Sequence, residues 1–167
     1  MMLRFLNTFL IFIAATIFYW LGLIFFAPLG LSINIMFAFS IIVAVMLPPR
    51  YGYTFAFLSG LFLDFLGTSL FGSHALAYTL VMILFYRIKD NFDFKENIPQ
   101  MVITSLLNFF LILVFGLISK IFTGIFFWQG WKDLILGSVI LGLIMPLFYA
   151  IVNKFLAFDA LKKINEN

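Results

Sequence analysis

The sequence predicts an all-α integral membrane protein in which about six transmembrane helices form one compact bundle. Two properties of the 167-residue chain indicate this class: 65% of its residues are hydrophobic and only 10% are charged. A soluble domain averages roughly 45–50% apolar and about 25% charged residues, so this chain has too few polar side chains to cover a water-exposed surface. The composition excludes a soluble enzyme and a disordered segment, and the lack of cysteine excludes disulfides and thiolate chemistry.

The first two spans lie in the part of the chain that carries no charge, residues 5–49. One helix crosses a bilayer with about 20 residues, so this run is long enough for two helices. Pro28 and Gly30 indicate a turn between them, because proline ends a helix and glycine permits a tight turn. We therefore predict spans at 5–27 and 32–47.

The third and fourth spans lie on either side of a short turn. Residues 67–73 have the small and polar composition of a turn, so we predict one span at 51–66 and the next at 74–87. Asp64 is the only charged residue in these two spans before Arg87. The third span is short for a hydrocarbon core of about 30 Å, so an arrangement with five spans is the alternative.

The last two spans follow the main polar stretch of the chain, residues 87–99. We predict the fifth span at 99–119 and the sixth at 133–154. The connector between them, 120–132, is rich in aromatic residues, and tryptophan is favoured at the level of the lipid headgroups.

Basic residues are distributed unevenly between the two ends of the predicted helices. Of the ten Lys and Arg residues, only Lys120 and Lys132 fall on the side opposite both termini. The positive-inside rule therefore places both termini in the cytoplasm, and it explains the net charge of +3 without a nucleic-acid partner. We expect one transmembrane helical domain at 1–157, followed by a short cytoplasmic tail at 158–167.

Asp64 is the most specific candidate for a functional residue. A carboxylate inside a span costs about 2.5–3.5 kcal/mol on insertion scales, so such a residue normally contacts protein or water. Helical spacing places the small residues Gly52, Ala56, Gly60 and Gly67 on the same face, and small residues let another helix backbone come close. We predict a groove for a partner helix with Asp64 as its polar anchor; the alternative is an aspartate near the outer end of a short span, hydrated among the headgroups.

His74 is the only histidine and lies at the start of the fourth span. It could pair with Asp64 across the turn, respond to pH, or cap its helix in the interface, and the cap is the interpretation we favour. One histidine without further acidic neighbours does not predict a metal site.

Enzymatic activity is not expected, because the sequence lacks the paired groups that catalysis needs. Ser59 precedes a glycine, but Phe57 stands where an intramembrane serine protease motif has glycine. An intramembrane aspartyl protease needs two carboxylates, and Asp64 is the only one well inside a predicted span. We therefore expect no catalytic residue, no cofactor and no bound metal.

The segment from Gly52 to Leu76 resembles the signature of the bacterial rod-shape-determining protein MreD family. The size of the chain and its six-span hydropathy agree with that family as well. The positions that match in kind are Pro48, Gly60, Leu61, Asp64, Gly72, His74, Ala75 and Leu76. Combined with the small-residue face, the resemblance gives these candidate partner-contact residues: Gly52, Ala56, Gly60, Asp64, Gly67, Gly72 and His74.

The resemblance implies a non-enzymatic scaffold subunit of the cell-elongation machinery in the bacterial inner membrane. Such a subunit would bind MreC, which has one membrane span and a periplasmic coiled coil, and would be surrounded by membrane lipids. Through MreC it would be linked to the filament protein MreB and to the peptidoglycan glycosyltransferase and transpeptidase, and so maintain rod shape.

The family also resembles the substrate-binding subunits of energy-coupling-factor transporters in fold, which supplies an alternative function. The chain would then bind a small molecule such as a vitamin for uptake. Such subunits typically carry an A-x-x-x-A face on the first span. Here Phe18 follows Ala14 and Tyr19 follows Ala15 at that spacing, so the sequence favours the scaffold.

Overall fold

The computed structural model describes residues 2–67, 70–127 and 130–165, and within these ranges the chain is helical without any β-strand. The all-α class is thus confirmed, and the number of main helices is six. They are α1 (Met2–Phe26), α2 (Ile35–Met46), α3 (Pro49–Leu66), α4 (Ser73–Ile88), α5 (Asn97–Thr123) and α6 (Ser138–Asn165). A single 3-10 turn follows α1 and another follows α4, and a short π-helical segment, Lys132–Gly137, leads into α6.

Three helical segments are long and apolar enough to cross a membrane: Leu6–Leu29, Asn97–Thr123 and Lys132–Lys154. They correspond to the first, fifth and sixth predicted spans. The helix Ile35–Met46 is apolar but has only 12 residues. At about 1.5 Å per residue it is roughly 18 Å long, which is shorter than the hydrocarbon core.

Proline and glycine set several of the helix ends. Pro49 is the first residue of α3, where its missing N–H does not matter because first-turn amides have no partner within the helix. Pro99 lies in the first turn of α5 for the same reason. The cap position is Glu96, without a side-chain hydrogen bond. Gly124 ends α5 with a φ of 74°, a left-handed conformation that favours glycine.

Helix α2 lies at the centre of the bundle. Every residue from Ile35 to Ala44 is buried, as expected for a helix that is apolar on all sides. It contacts each of the other five helices. The prediction that this helix begins at residue 32 is wrong, because Ser32 and Asn34 use their polar groups to contact residues near α5 and α6 instead.

The remaining helices surround α2, and the closest pairs are α3 with α4 and α5 with α6. Helix α1 contacts mainly α2 and exposes large apolar side chains such as Phe9 and Ile17. Helix α6 continues through Pro146 to Asn165, so most of the residues assigned to the polar tail, 158–167, extend this helix.

Candidate functional site

Asp64 lies near the end of α3, and its side chain is completely buried. One carboxylate oxygen accepts a hydrogen bond from the backbone amide of His74 at 3.0 Å, and the other accepts one from the amide of Ala75 at 3.1 Å. These amides belong to the first turn of α4, where backbone N–H groups have no partner within their own helix. Asp64 therefore caps α4 from the neighbouring helix, and its carboxylate lies at the end of α4 where the helix dipole favours negative charge.

The ring of His74 adds a second contact to the same carboxylate. Its Nδ1 atom lies 2.8 Å from Asp64 Oδ1, and the ring packs against Phe115 of α5 with 4.2 Å between centroids. Of the three roles considered for this histidine, the structure shows the pairing with Asp64. An ionised carboxylate has no proton to donate, so with Asp64 charged Nδ1 is the donor of this bond.

Ser73, His74 and Asp64 do not form a catalytic triad. The Ser73 hydroxyl donates to the carbonyl of Leu70 at 2.6 Å and lies 3.4 Å from Asp64 Oδ1. In a triad the serine contacts the imidazole nitrogen remote from the carboxylate, whereas this serine lies on the carboxylate itself. The cluster is therefore arranged to connect two helices.

Gly60 lies one turn before Asp64, where the backbones of α3 and α4 come closest. A Cβ atom at this position would lie 2.6 Å from the backbone nitrogen and Cα of Ala75. Gly52 has a similar role two turns earlier, since a Cβ there would overlap the Tyr86 hydroxyl. The small-residue face thus lets α3 pack closely against its own neighbours.

The predicted groove for a partner helix is occupied at Gly60 and Asp64 by α4 of the same chain. Gly52 and Ala56 are also buried inside the bundle. A partner outside the bundle can reach none of these four residues unless α4 moves. Gly67 is exposed, and Gly72 and His74 are half-buried. Contact of these three with a partner stays a prediction.

Gly72 has a specific structural role in the turn that precedes α4. Its φ is 91°, in the left-handed region that residues with a side chain rarely adopt. It occupies the position just before α4, and no side-chain cap comes from this residue. The cap comes instead from Asp64, so the glycine and the aspartate act at the same helix end.

A second buried polar network joins α2, α5 and α6, and it was not among the candidates predicted from the sequence. The Asn34 side chain donates to Asn108 Oδ1 at 2.9 Å, and the Asn108 amide donates to the hydroxyl of Ser138 at 2.9 Å. Near it, the backbone amide of Ser32 donates to Asp133 at 2.7 Å. The signal in the sequence was Asn108, a polar side chain in the middle of an apolar span.

An open groove of about 770 Å³ runs between α1 and α3. Phe9 and Phe12 of α1 line one wall, and residues from Arg50 to Phe65 of α3 line the other. A smaller cavity of about 410 Å³ lies beside the α4–α5 connector, where Lys89 and Asp93 are among its lining residues.

No protein-family model matches this chain, and no curated protein or solved structure shows significant similarity to it. Among the described residues, no three histidine, aspartate or glutamate side chains group into a candidate metal site. The resemblance to the MreD family therefore stays a prediction.

Proposed function

We propose that this chain is a non-enzymatic membrane scaffold subunit of the bacterial cell-elongation machinery and that it binds MreC. The observation that carries the proposal is that residues of the family-like pattern meet at one place, the contact between α3 and the start of α4. Gly60 allows the two backbones to approach, and Asp64 caps α4 through His74 and Ala75. In this proposal, the residues that carry the resemblance fix how α3 and α4 pack, and a scaffold needs such a fixed geometry to hold its partner.

In this proposal all six helices lie in the inner membrane, with both termini in the cytoplasm. Three of the helices have the length and hydropathy of a span. The shorter α3 and α4 would be accommodated by local thinning of the bilayer, and the 12-residue α2 would be shielded from lipid by the helices that surround it.

The hairpin formed by α3 and α4 is the element that we expect to hold the partner in position. Asp64, Ser73 and His74 make their hydrogen bonds inside the joint, and the outer surface of the hairpin offers apolar side chains such as Phe57 and Leu76. In a membrane, two helices associate through close packing rather than through the hydrophobic effect. A hairpin of fixed geometry gives the single span of MreC a surface of constant shape. MreC in turn would link this protein to MreB and the peptidoglycan synthases.

The test is recovery of MreC with this protein after co-expression, together with the shape of the cells. Gly60→Leu forces α3 and α4 apart and Asp64→Leu removes the cap, so both should lower the recovery of MreC and give rounded cells. Asp133→Leu is the matched control, because it replaces another buried carboxylate that contacts Ser32 away from the hairpin.

Each variant is compared at equal expression and with a single symmetric peak in size-exclusion chromatography. Normal recovery of MreC and rod shape in both hairpin variants would contradict the proposal. Recovery with an ATPase pair, together with a vitamin bound at sub-micromolar concentration, would favour the transporter subunit instead.

A further inference from the structure

The groove between α1 and α3 has a continuous apolar floor. Phe12 of α1 packs edge-on against Phe55 at 5.6 Å and against Phe62 at 5.9 Å, measured between ring centroids. The two helices meet through these rings, and above them the groove stays open to the surroundings. Leu58 and Phe65 form its α3 wall and are exposed.

Polar groups lie at only one end of this groove. Thr8 near the start of α1, together with Arg50, Tyr51 and Thr54 in the first turns of α3, supplies all the polar side chains in the lining. The rest of the lining, as far as Phe65, consists of phenylalanine and leucine. One end of the groove is therefore polar. The rest of the groove, which we call the channel, is apolar.

Arg50 supplies a positive charge at the polar end. Its guanidinium carbon lies 5.0 Å from the centre of the Tyr51 ring, and the residue is exposed. Within the part of the chain that the structure describes, no carboxylate lies within ion-pair distance of the Arg50 guanidinium. Its charge is available to an anion that enters this end of the groove.

We propose that this groove binds an anionic phospholipid of the cytoplasmic leaflet, with the phosphate at Arg50 and an acyl chain along the channel. The inference rests on the proposed topology, which places Arg50 at the cytoplasmic side. From Thr54 to Phe65 the channel is about 16 Å long at 1.5 Å per residue, close to the roughly 15 Å of one leaflet. A transmembrane helix would need about twice that length of apolar contact, so the dimensions favour a lipid.

A second apolar groove of the same protein lacks the charged end that Arg50 gives to the groove between α1 and α3. It lies between α4 and α5, has a volume of about 300 Å³, and is lined by apolar residues including Leu84 and Leu106. No charged side chain lines it. This groove would contact acyl chains without preference for a headgroup, which makes it an internal control.

The experiment measures lipid bound to the purified protein by native mass spectrometry. Phosphatidylglycerol and phosphatidylcholine with identical acyl chains are titrated separately. We expect preferential binding of phosphatidylglycerol to the wild type, and about a fivefold loss of that binding in Arg50→Gln, the size of effect that one basic residue has near an anionic lipid surface. Leu58→Trp fills the channel and should lower phosphatidylglycerol binding while leaving Arg50 in place.

Two control variants distinguish binding in this groove from nonspecific attraction of anionic lipid to the protein surface. Arg87→Gln removes an exposed basic residue on the same side of the protein, and Leu84→Trp places the same bulk in the second groove. Both should bind phosphatidylglycerol within about twofold of the wild type. Equal losses in Arg50→Gln and Arg87→Gln, or equal binding of the two lipids by the wild type, would overturn the proposal.

The recovery of MreC distinguishes the lipid from a helix as occupant of the groove. If Leu58→Trp lowered the recovery of MreC and left phosphatidylglycerol binding unchanged, the groove would hold the partner's span and the lipid proposal would be wrong. Lipid binding is measured on the protein alone, so its failure is separate from a failure of the scaffold function. Each variant must elute as the wild type does in size-exclusion chromatography.

Discussion

Asp64 and His74 are joined by two contacts at the same carboxylate oxygen: the backbone amide of His74 donates to it at 3.0 Å, and the ring Nδ1 lies 2.8 Å from it. The two residues are ten positions apart and belong to different helices. The end of α3 and the start of α4 are thus connected through one buried side chain. Because Gly60 brings the backbones together one turn away, the hairpin is held both by polar contacts and by close packing.

Asp64→Leu should destabilise the protein more than Asp64→Asn. Leucine leaves the amides of His74 and Ala75 without an acceptor, and loss of a helix cap combined with a buried unsatisfied donor costs about 2 kcal/mol. The amide oxygen of asparagine still accepts one of these bonds, so we expect a loss of about 1 kcal/mol. The free energy of unfolding in mixed micelles checks this order. Wild-type stability in Asp64→Leu would contradict the expected cost of losing the cap.

Gly60→Ala should destabilise the protein more than Gly116→Ala does. The new methyl group at position 60 would lie 2.6 Å from the backbone of Ala75, so two helices must separate, at about 1–3 kcal/mol. At Gly116 the neighbour is the end of the Phe126 ring, which can rotate away. Thermal unfolding of both variants under identical detergent conditions is the measurement. Equal unfolding midpoints of the two variants would mean that the α3–α4 contact accommodates the new methyl group without losing stability.

Helix ends could be predicted from the sequence where proline or glycine determines them. The bounds of α3 and α4, Pro49–Leu66 and Ser73–Ile88, lie within two residues of the predicted 51–66 and 74–87. Helix α5 ends at Thr123, four residues beyond the predicted 119, because Lys120 does not interrupt the helix. A charged residue with a long apolar stem can continue a helix, and the chain turns only at Gly124.

The environment of the small-residue face could not be predicted in the same way. Helical spacing shows that Gly60 and Asp64 share one face, but it does not show which helix covers that face. The covering helix is α4, which begins at Ser73, nine positions after Asp64. Likewise, the partner of Asn108 is Asn34, a residue 74 positions away, which no local pattern indicates.

The six-span topology can be tested with single cysteines, since the protein has none of its own. Lys95→Cys lies in the α4–α5 connector and Ile125→Cys lies just beyond α5, and both positions are exposed. A membrane-impermeant thiol reagent should label Ile125→Cys in intact cells and Lys95→Cys only after the inner membrane is opened. Labelling of Lys95→Cys in intact cells would contradict a cytoplasmic connector and favour a different number of spans.

The last prediction concerns the contact between Asn34 and Asn108, which joins the start of α2 to the middle of α5. Polar contacts between membrane helices average about 0.6 kcal/mol and reach about 1.7 kcal/mol, so a double-mutant cycle with alanine at both positions should give a coupling energy in this range. The second cycle, Ser40→Ala with Asn108→Ala, is the control, because Ser40 is buried on α2 but donates to the carbonyl of Met36 in its own helix. Its coupling should be close to zero. Equal coupling energies in the two cycles would show that Asn108 acts through general packing against α2. The hydrogen bond to Asn34 would then have no separate role in placing α2 at the centre of the bundle.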